Sequence, residues 1–339
     1  MSRRFRLLGA DFEFDVRHAA LARLVEHAYA GLPEHRLAAD APRLQLSLSV
    51  APGGARLARR RAPQIETLSG AGLLCGSTGR SVFAAIAPGA GAALIVVSRD
   101  MLRHPYHLRY ELIELAVFTL AARTQGLVPL HAACVGHHGR GLLVMGDSGA
   151  GKSTAALHAA LRGLEFVSED STFVEPGSML ATGVANFLHV RRESLRFVPA
   201  PVAARLRRSP VIRRRSGVAK LEIDLRRARV PLAPHPVRIE AMIFATPKPR
   251  SRGGPLLLPL RADAVCGRLA AAQAYAARRP EWPLFTRRIA ALPAFELRRG
   301  AHPQETAAAL ESLLTTGSAA PLAVATCEAS PELAASAPA

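Results

Sequence analysis

Lysine is nearly missing from this chain: of its 44 Lys and Arg residues only Lys152, Lys220 and Lys248 are lysine. Arginine is therefore the default surface cation, and each lysine marks a place where a compact ammonium was kept. Long apolar runs are also absent. The best candidate, Leu112 to Leu120, is interrupted by Glu114 and flanked by Arg109, Glu111 and Arg123, so membrane insertion is not expected. Met1-Ser2-Arg3-Arg4 is basic, but no apolar signal core follows before Asp11, Glu13 and Asp15, and a cytoplasmic location is the expectation. Cys75, Cys134, Cys266 and Cys327 are too widely spaced for a CxxC pair or a disulfide framework, which argues against structural zinc and agrees with a reducing compartment. No internal repeat is present.

What is there begins with size and charge. A chain of 339 residues suits two domains of ordinary size. The formal net charge is +18, and the stretch from Arg191 to Arg229 carries 12 arginines and one lysine against Glu193, Glu222 and Asp224. Because arginine is abundant throughout, this density reads as a solvated face or as a field that steers an acidic protein or peptide substrate. Nucleic acid ranks below both.

Residues 1–125 carry no chemical motif and read as an α+β accessory domain. Arg6 to Phe14 and Leu44 to Val50 alternate as strands, Arg17 to Leu32 has helical spacing, and Arg80 to Ile86 with Ala92 to Ser98 forms a hairpin around Pro88-Gly89-Ala90-Gly91. An amphipathic helix from Tyr106 to Gln125 ends at Gly126. A catalytic domain is expected over 126–314, with strands at Leu130 to Val135, Leu142 to Met145, Leu164 to Val167, Ala219 to Leu225 and Ile239 to Ala245. Helices follow near Ala262 to Arg278 and Pro303 to Leu314. From Thr315 the composition turns to Ala, Ser, Pro and Thr, so 315–339 is expected to be a disordered tail.

Between the Leu142-Leu143-Val144-Met145 strand and a helix of alanines lies Gly146-Asp147-Ser148-Gly149-Ala150-Gly151-Lys152-Ser153-Thr154. The pattern and its strand-to-helix setting are those of a phosphate-binding loop, and ATP with Mg²⁺ is the expected cofactor. The glycines let successive N–H groups face phosphate oxygens, Lys152 reaches the β- and γ-phosphates, and the Ser153 hydroxyl joins the metal shell beside the positive end of the helix. Two features flank the loop: His131 in Pro129-Leu130-His131-Ala132-Ala133, and the acidic pair in Val167-Ser168-Glu169-Asp170-Ser171. Alone, a histidine at a strand end is more often structural than not, and an acidic pair after a strand is often only a helix cap or a solvated turn. Lys220 reads either as a phosphate or substrate contact or as a surface cation, and the arginine-rich 209–216 as a mobile substrate loop.

Taken together, Leu-His-Ala, Gly-Asp-Ser-Gly-x-Gly-Lys-Ser and Gly-x-x-x-Val-x-acid-Asp resemble, over about Leu130 to Val174, the catalytic domain of bacterial HPr kinase/phosphorylases and their related serine kinases. The resemblance implies a P-loop kinase core of the type related to phosphoenolpyruvate carboxykinase. It would move the γ-phosphoryl of ATP to a serine hydroxyl of a protein or peptide. It also implies Glu169 as base, Asp170 as metal-side acid with Ser153, and His131 as the active-site histidine near the transferred phosphate. Glu169 stands where the family has a first Asp, which leaves open whether Glu169 or Asp170 faces the substrate. The later Glu-x-Arg-Gly-x-Gly signature is absent, which counts against HPr as substrate and against a phosphorylase back-reaction. An accessory domain unlike that of the HPr enzymes keeps a second substrate in view, a ribosomally made peptide modified by a tailoring kinase. A nucleotide-binding regulatory protein without transfer activity is the reading from another class. A homo-oligomer is compatible with all three.

Overall fold

Along Ala10–Val16 every second residue is buried, the signature of a strand with one face on a core. In the computed structural model, which describes residues 2–51, 62, 64–78 and 82–316, the chain is mixed α/β with three sheets. The first comprises β1 (Ser2–Leu7), β2 (Ala10–Val16), β3 (Arg43–Val50), β4 (Glu66–Gly70), β5 (Leu73–Thr78), β6 (Val82–Ala87) and β7 (Ala92–Val97), in the order β1-β2-β3-β7-β6-β5-β4. The single strand expected over Arg6 to Phe14 is corrected to a hairpin, because Leu8 and Gly9 both take positive φ, 53° and 84°, and reverse the chain in two residues. Helix α1 (Ala19–Tyr29) is capped by the His18 ring, which accepts from the Ala20 N–H.

The long helix expected after this sheet is α2 (Pro105–Leu108), a π turn over Arg109–Ile113, and α3 (Glu114–Gln125), which stops at Gly126 in the left-handed region. Leu112, Ala116, Val117 and Leu120 pack with Leu46, Leu48, Ile86 and Ile95 in one core. The π turn rotates the face that a regular helix would present. It leaves Arg109 buried at 2% exposure instead of at the surface.

In chain order the remainder gives β8 (Val128–Leu130), β9 (Ala133–His137), β10 (Arg140–Met145), α4 (Lys152–Leu161), β11 (Glu165–Ser168), β12 (Thr172–Glu175), β13 (Leu180–Gly183), β14 (Phe187–Val190), α5 (Ala200–Leu206), β15 (Val211–Arg213), β16 (Ala219–Asp224), β17 (Val237–Pro249), β18 (Leu257–Pro259), α6 (Ala262–Ala272), α7 (Trp282–Ile289), β19 (Ala294–Arg299) and α8 (Pro303–Thr316). The second sheet runs β11-β9-β10-β17-β13-β12-β8, with β19 also on β17 and β18 on β19. Its central strand reads Leu142-Leu143-Val144-Met145 without alternation because both faces are covered. Leu142 and Val144 pack toward α4 and α8, Leu143 and Met145 toward Val265, Leu269 and Phe285 of α6 and α7. The third sheet is β14-β16-β15.

The expected strand from Leu130 to Val135 is interrupted at His131-Ala132, where the His131 N–H donates 2.8 Å to the Gln273 side-chain oxygen and not to a neighbouring strand. The expected mobile loop over 209–216 is instead partly ordered as β15, paired with β16 and turned at Gly217 (φ 83°). Cys134 is buried and Cys75 half-buried, both free, whereas Cys266 is disulfide-bonded. Thr315 and Thr316 close α8, and the rest of the expected tail lies outside the described residues. Among the described residues, no helix is long and apolar enough to cross a membrane.

Candidate active site

Strand direction assembles the site. Both β10 and β11 pair antiparallel with β9, so their carboxyl ends and the start of β9 share one edge of the sheet. The glycine-rich loop leaves β10 at that edge, Glu169 and Asp170 leave β11, and His131 enters β9. Three separate segments are thereby brought around one cavity of about 190 Å³, lined by His131, Asp147, Ser148, Gly149, Gly151, Lys152, Ser153, Thr154, Glu169 and Asp170. Gly146 and Ala150 hold the loop from behind: a Cβ on Gly146 (φ 142°) would lie 2.4 Å from the Ala245 carbonyl oxygen of β17, so only glycine fits.

The loop fits a polyphosphate. Gly149 and Gly151 take φ of 88° and 104°, the left-handed conformation from which successive backbone N–H groups can form an anion-binding concavity. Helix α4 opens at Gly151 with no side-chain cap and no acid in its first turn, leaving its first N–H groups for an anion. Lys152 is buried and donates to the Gly146 oxygen at 2.5 Å and the Asp147 oxygen at 3.3 Å. Burial lowers its pKa, against the pull of Asp170, Asp147 and Glu169.

Behind the loop lies a buried polar chain. Ser153 Oγ donates 2.7 Å to Glu169 Oε1; Glu169 Oε2 accepts from the His189 backbone N–H at 2.8 Å and faces His189 Nδ1 at 2.9 Å. His189 Nε2 is 3.2 Å from Glu222 Oε1, its register partner across β14 and β16, and Arg109 donates to the same oxygen. Burial opposes charge on His189, but hydrogen bonds to Glu169 and Glu222 raise its pKa. Burial likewise opposes charge on Glu222, yet His189 and Arg109 hold its carboxyl at about 2.

These shifts set a pH window for stability. The raised His189 contributes fully below its ordinary value of 6.5 and loses that contribution as pH rises through its elevated folded value. The lowered Glu222 contributes above its ordinary 4.5 and loses that contribution as pH falls toward about 2. The pair is most stabilising between those ordinary values. Thermal melts in a pH series are expected to fall above the window in the native chain and to be flatter there in His189→Gln. Parallel curves would remove the imidazolium from the account.

The second acid faces the open side. Asp170 Oδ1 pairs with His131 Nδ1 at 2.9 Å and Oδ2 with Arg214 Nη2 at 3.7 Å. Burial would raise its pKa, but the His131 hydrogen bond and the charges of His131, Arg214 and Lys152 hold the carboxyl at about 2. Gln273 accepts from the His131 N–H and donates from Nε2 to its carbonyl at 3.3 Å, an amide clamp on the backbone beside the exposed imidazole. Arg191, Ser194, Arg214 and Lys220 complete the cavity wall. Burial lowers the Lys220 pKa and Glu169 opposes it.

Among the described residues, no three His, Cys, Asp or Glu side chains converge as a metal site. Ser153, Glu169 and Asp170 all line the cavity and could hold a divalent cation with water and phosphate oxygens, and of the two acids it is Glu169 that the Ser153 hydroxyl bonds. Sequence reasoning missed His189, Glu222, Arg109 and Gln273. A histidine within the otherwise apolar Phe187–Val190 was the available signal for the first.

No protein-family model matches this chain, and no curated protein matches it in sequence. Among solved structures it is similar to the Hpr(Ser) kinase/phosphatase from Coxiella burnetii, at 14% identity and a TM-score of 0.29, over 56% of this chain and 88% of that one.

Proposed function

We propose that this protein is an ATP-dependent kinase, with a P-loop core of the HPr-kinase-related type, that transfers a phosphoryl group to a serine hydroxyl of a protein or peptide. The observation that carries the reading is one cavity holding both halves of the required chemistry: an uncapped glycine loop with Lys152 and Ser153–Glu169 on one side, the Asp170–His131 pair on the other. Bound Mg²⁺ would supply charge neutralisation on the phosphates, held through Ser153 and Glu169. This exchanges the two acids relative to the family pattern, and the Ser153–Glu169 hydrogen bond supports the exchange.

Asp170, kept ionised by His131 and Arg214, is an acceptor only and orients the incoming hydroxyl. In the transfer, the serine oxygen forms a bond to phosphorus, the bond to the ADP oxygen breaks, and the hydroxyl proton leaves by the Asp170–His131 pair. Lys152, Arg214, Arg191 and Lys220 surround the charge that moves. The test is incubation of the full chain with Mg²⁺ and γ-labelled ATP over arrayed synthetic serine peptides, with phosphoserine read by mass spectrometry. Nucleotide binding with no phosphoserine on any peptide or polypeptide offered would favour a regulatory nucleotide-binding protein instead.

A further inference from the structure

A second cavity, of about 280 Å³, opens beside the first and shares only His131 and Asp170 with it. Its character is different. Leu115 and Phe118 of α3, Phe173 of β12 and Tyr275 beyond α6 give it apolar walls, and Arg123 and Arg279 also line it. Tyr275 is 60% exposed, a large ring left in solvent beside the opening. Asp170 is the only acid of the lining, and it is already engaged by His131 and Arg214. Arg279 lies 3.2 Å from Glu281, whereas Arg123 Nε is buried with no hydrogen-bond partner among the described residues. An apolar cleft lined by an arginine whose Nε has no partner suits an occupant with an apolar body and a nearby anion.

We propose that this cavity seats the acceptor segment of the polypeptide substrate: a serine with a large apolar side chain close to it in sequence and an acidic residue placed to pair with Arg123. The inference rests on the kinase reading above. The geometry argues for it because the two cavities meet at the Asp170–His131 pair. A phosphate held by the glycine loop and a hydroxyl held in the apolar cleft would reach the same carboxylate from opposite sides. Extended chain advances about 3.3 Å per residue, so the anchoring side chain and the acidic one belong within a few positions of the serine.

The probes are fluorescent serine peptide pools in which flanking positions are fixed as Phe/Leu with Glu/Asp, as Phe/Leu alone, as Glu/Asp alone or as Lys, with the full chain and a non-hydrolysable ATP analogue for binding and ATP for transfer. The apolar-plus-acidic pool is expected to bind and to react about fivefold better than the lysine pool, the upper range for one partly exposed ion pair. Arg123→Gln should erase the acidic preference, and Ala274→Trp, a surface change on the cleft wall, should weaken every pool while ATP affinity holds. Preferred binding without transfer keeps the cleft assignment and overturns the kinase reading. Transfer with no apolar or acidic preference, or a preference unchanged in Arg123→Gln, overturns the cleft assignment and leaves the kinase. Neither binding nor transfer by any pool overturns both.

Discussion

Replacing Lys152 with alanine is expected to lower phosphoryl transfer by about 10²- to 10³-fold, the usual loss when one preorganised charge is removed from a transition state. The ammonium now lies against the Gly146 and Asp147 carbonyls, bent back over the loop that would hold the phosphates. Arg214, Arg191 and Lys220 share the cavity, but they stand on the β14–β16 side and cannot replace a cation rooted in the loop itself. The fold should survive. Asp147, Ser148 and Gly149 are exposed, so water replaces the lost hydrogen bonds and the melting temperature should move by only a few degrees, about the effect of 1 kcal/mol. Single-turnover transfer and a melting curve on the same sample check both halves. Near-native turnover in a folded Lys152→Ala chain would take the loop out of the mechanism.

Asp170→Asn and Glu169→Gln are expected to separate the two acids. In the first, the amide keeps the shape of the side chain but not the charge that His131 and Arg214 now hold, so kcat should fall by about 10²- to 10⁴-fold, the range for a lost general base, with ATP affinity nearly unchanged. Because the carboxyl is held at about 2, the native enzyme should show no acid limb from this group above about pH 3. Glu169→Gln instead disturbs Ser153 on one oxygen and His189 on the other. It should raise the Mg²⁺ requirement and lower the melting temperature, since a buried imidazolium loses one of its carboxylates. The reverse pattern, with the metal requirement shifting in Asp170→Asn and kcat alone falling in Glu169→Gln, would restore Glu169 as base.

How far these residues could be read from sequence depended on distance along the chain. The glycine loop was legible because its chemistry is local: turn, lysine and hydroxyl lie within nine consecutive residues. The acids and His131 were legible because each stands at a strand end near the loop. The partners of Glu169 were not, because it is held by Ser153 and by His189, 16 and 20 residues away. Gln273 meets His131 across 142 residues and Arg109 meets Glu222 across 113. No periodicity encodes such pairs. The same limit explains the strand errors: Leu8-Gly9 does not announce a two-residue reversal, and the break at His131 is made by a glutamine far downstream.

Arg109 has a bearing on how this protein can have changed over time. Its guanidinium leaves the π turn of the first 125 residues, donates to Glu222, and lies 3.3 Å from Glu114. A descendant or chimera that exchanged its N-terminal portion for an unrelated one would strand Glu222 beside His189 without that cation. Glu169 and Glu222 would then share one buried imidazolium, and breaking a buried charge network by removing one partner costs about 3–5 kcal/mol, a large share of the stability of an ordinary domain. Exchange of these residues is therefore conditional: any replacement must bring its own arginine to the same spot, or β16 must lose its glutamate in the same step.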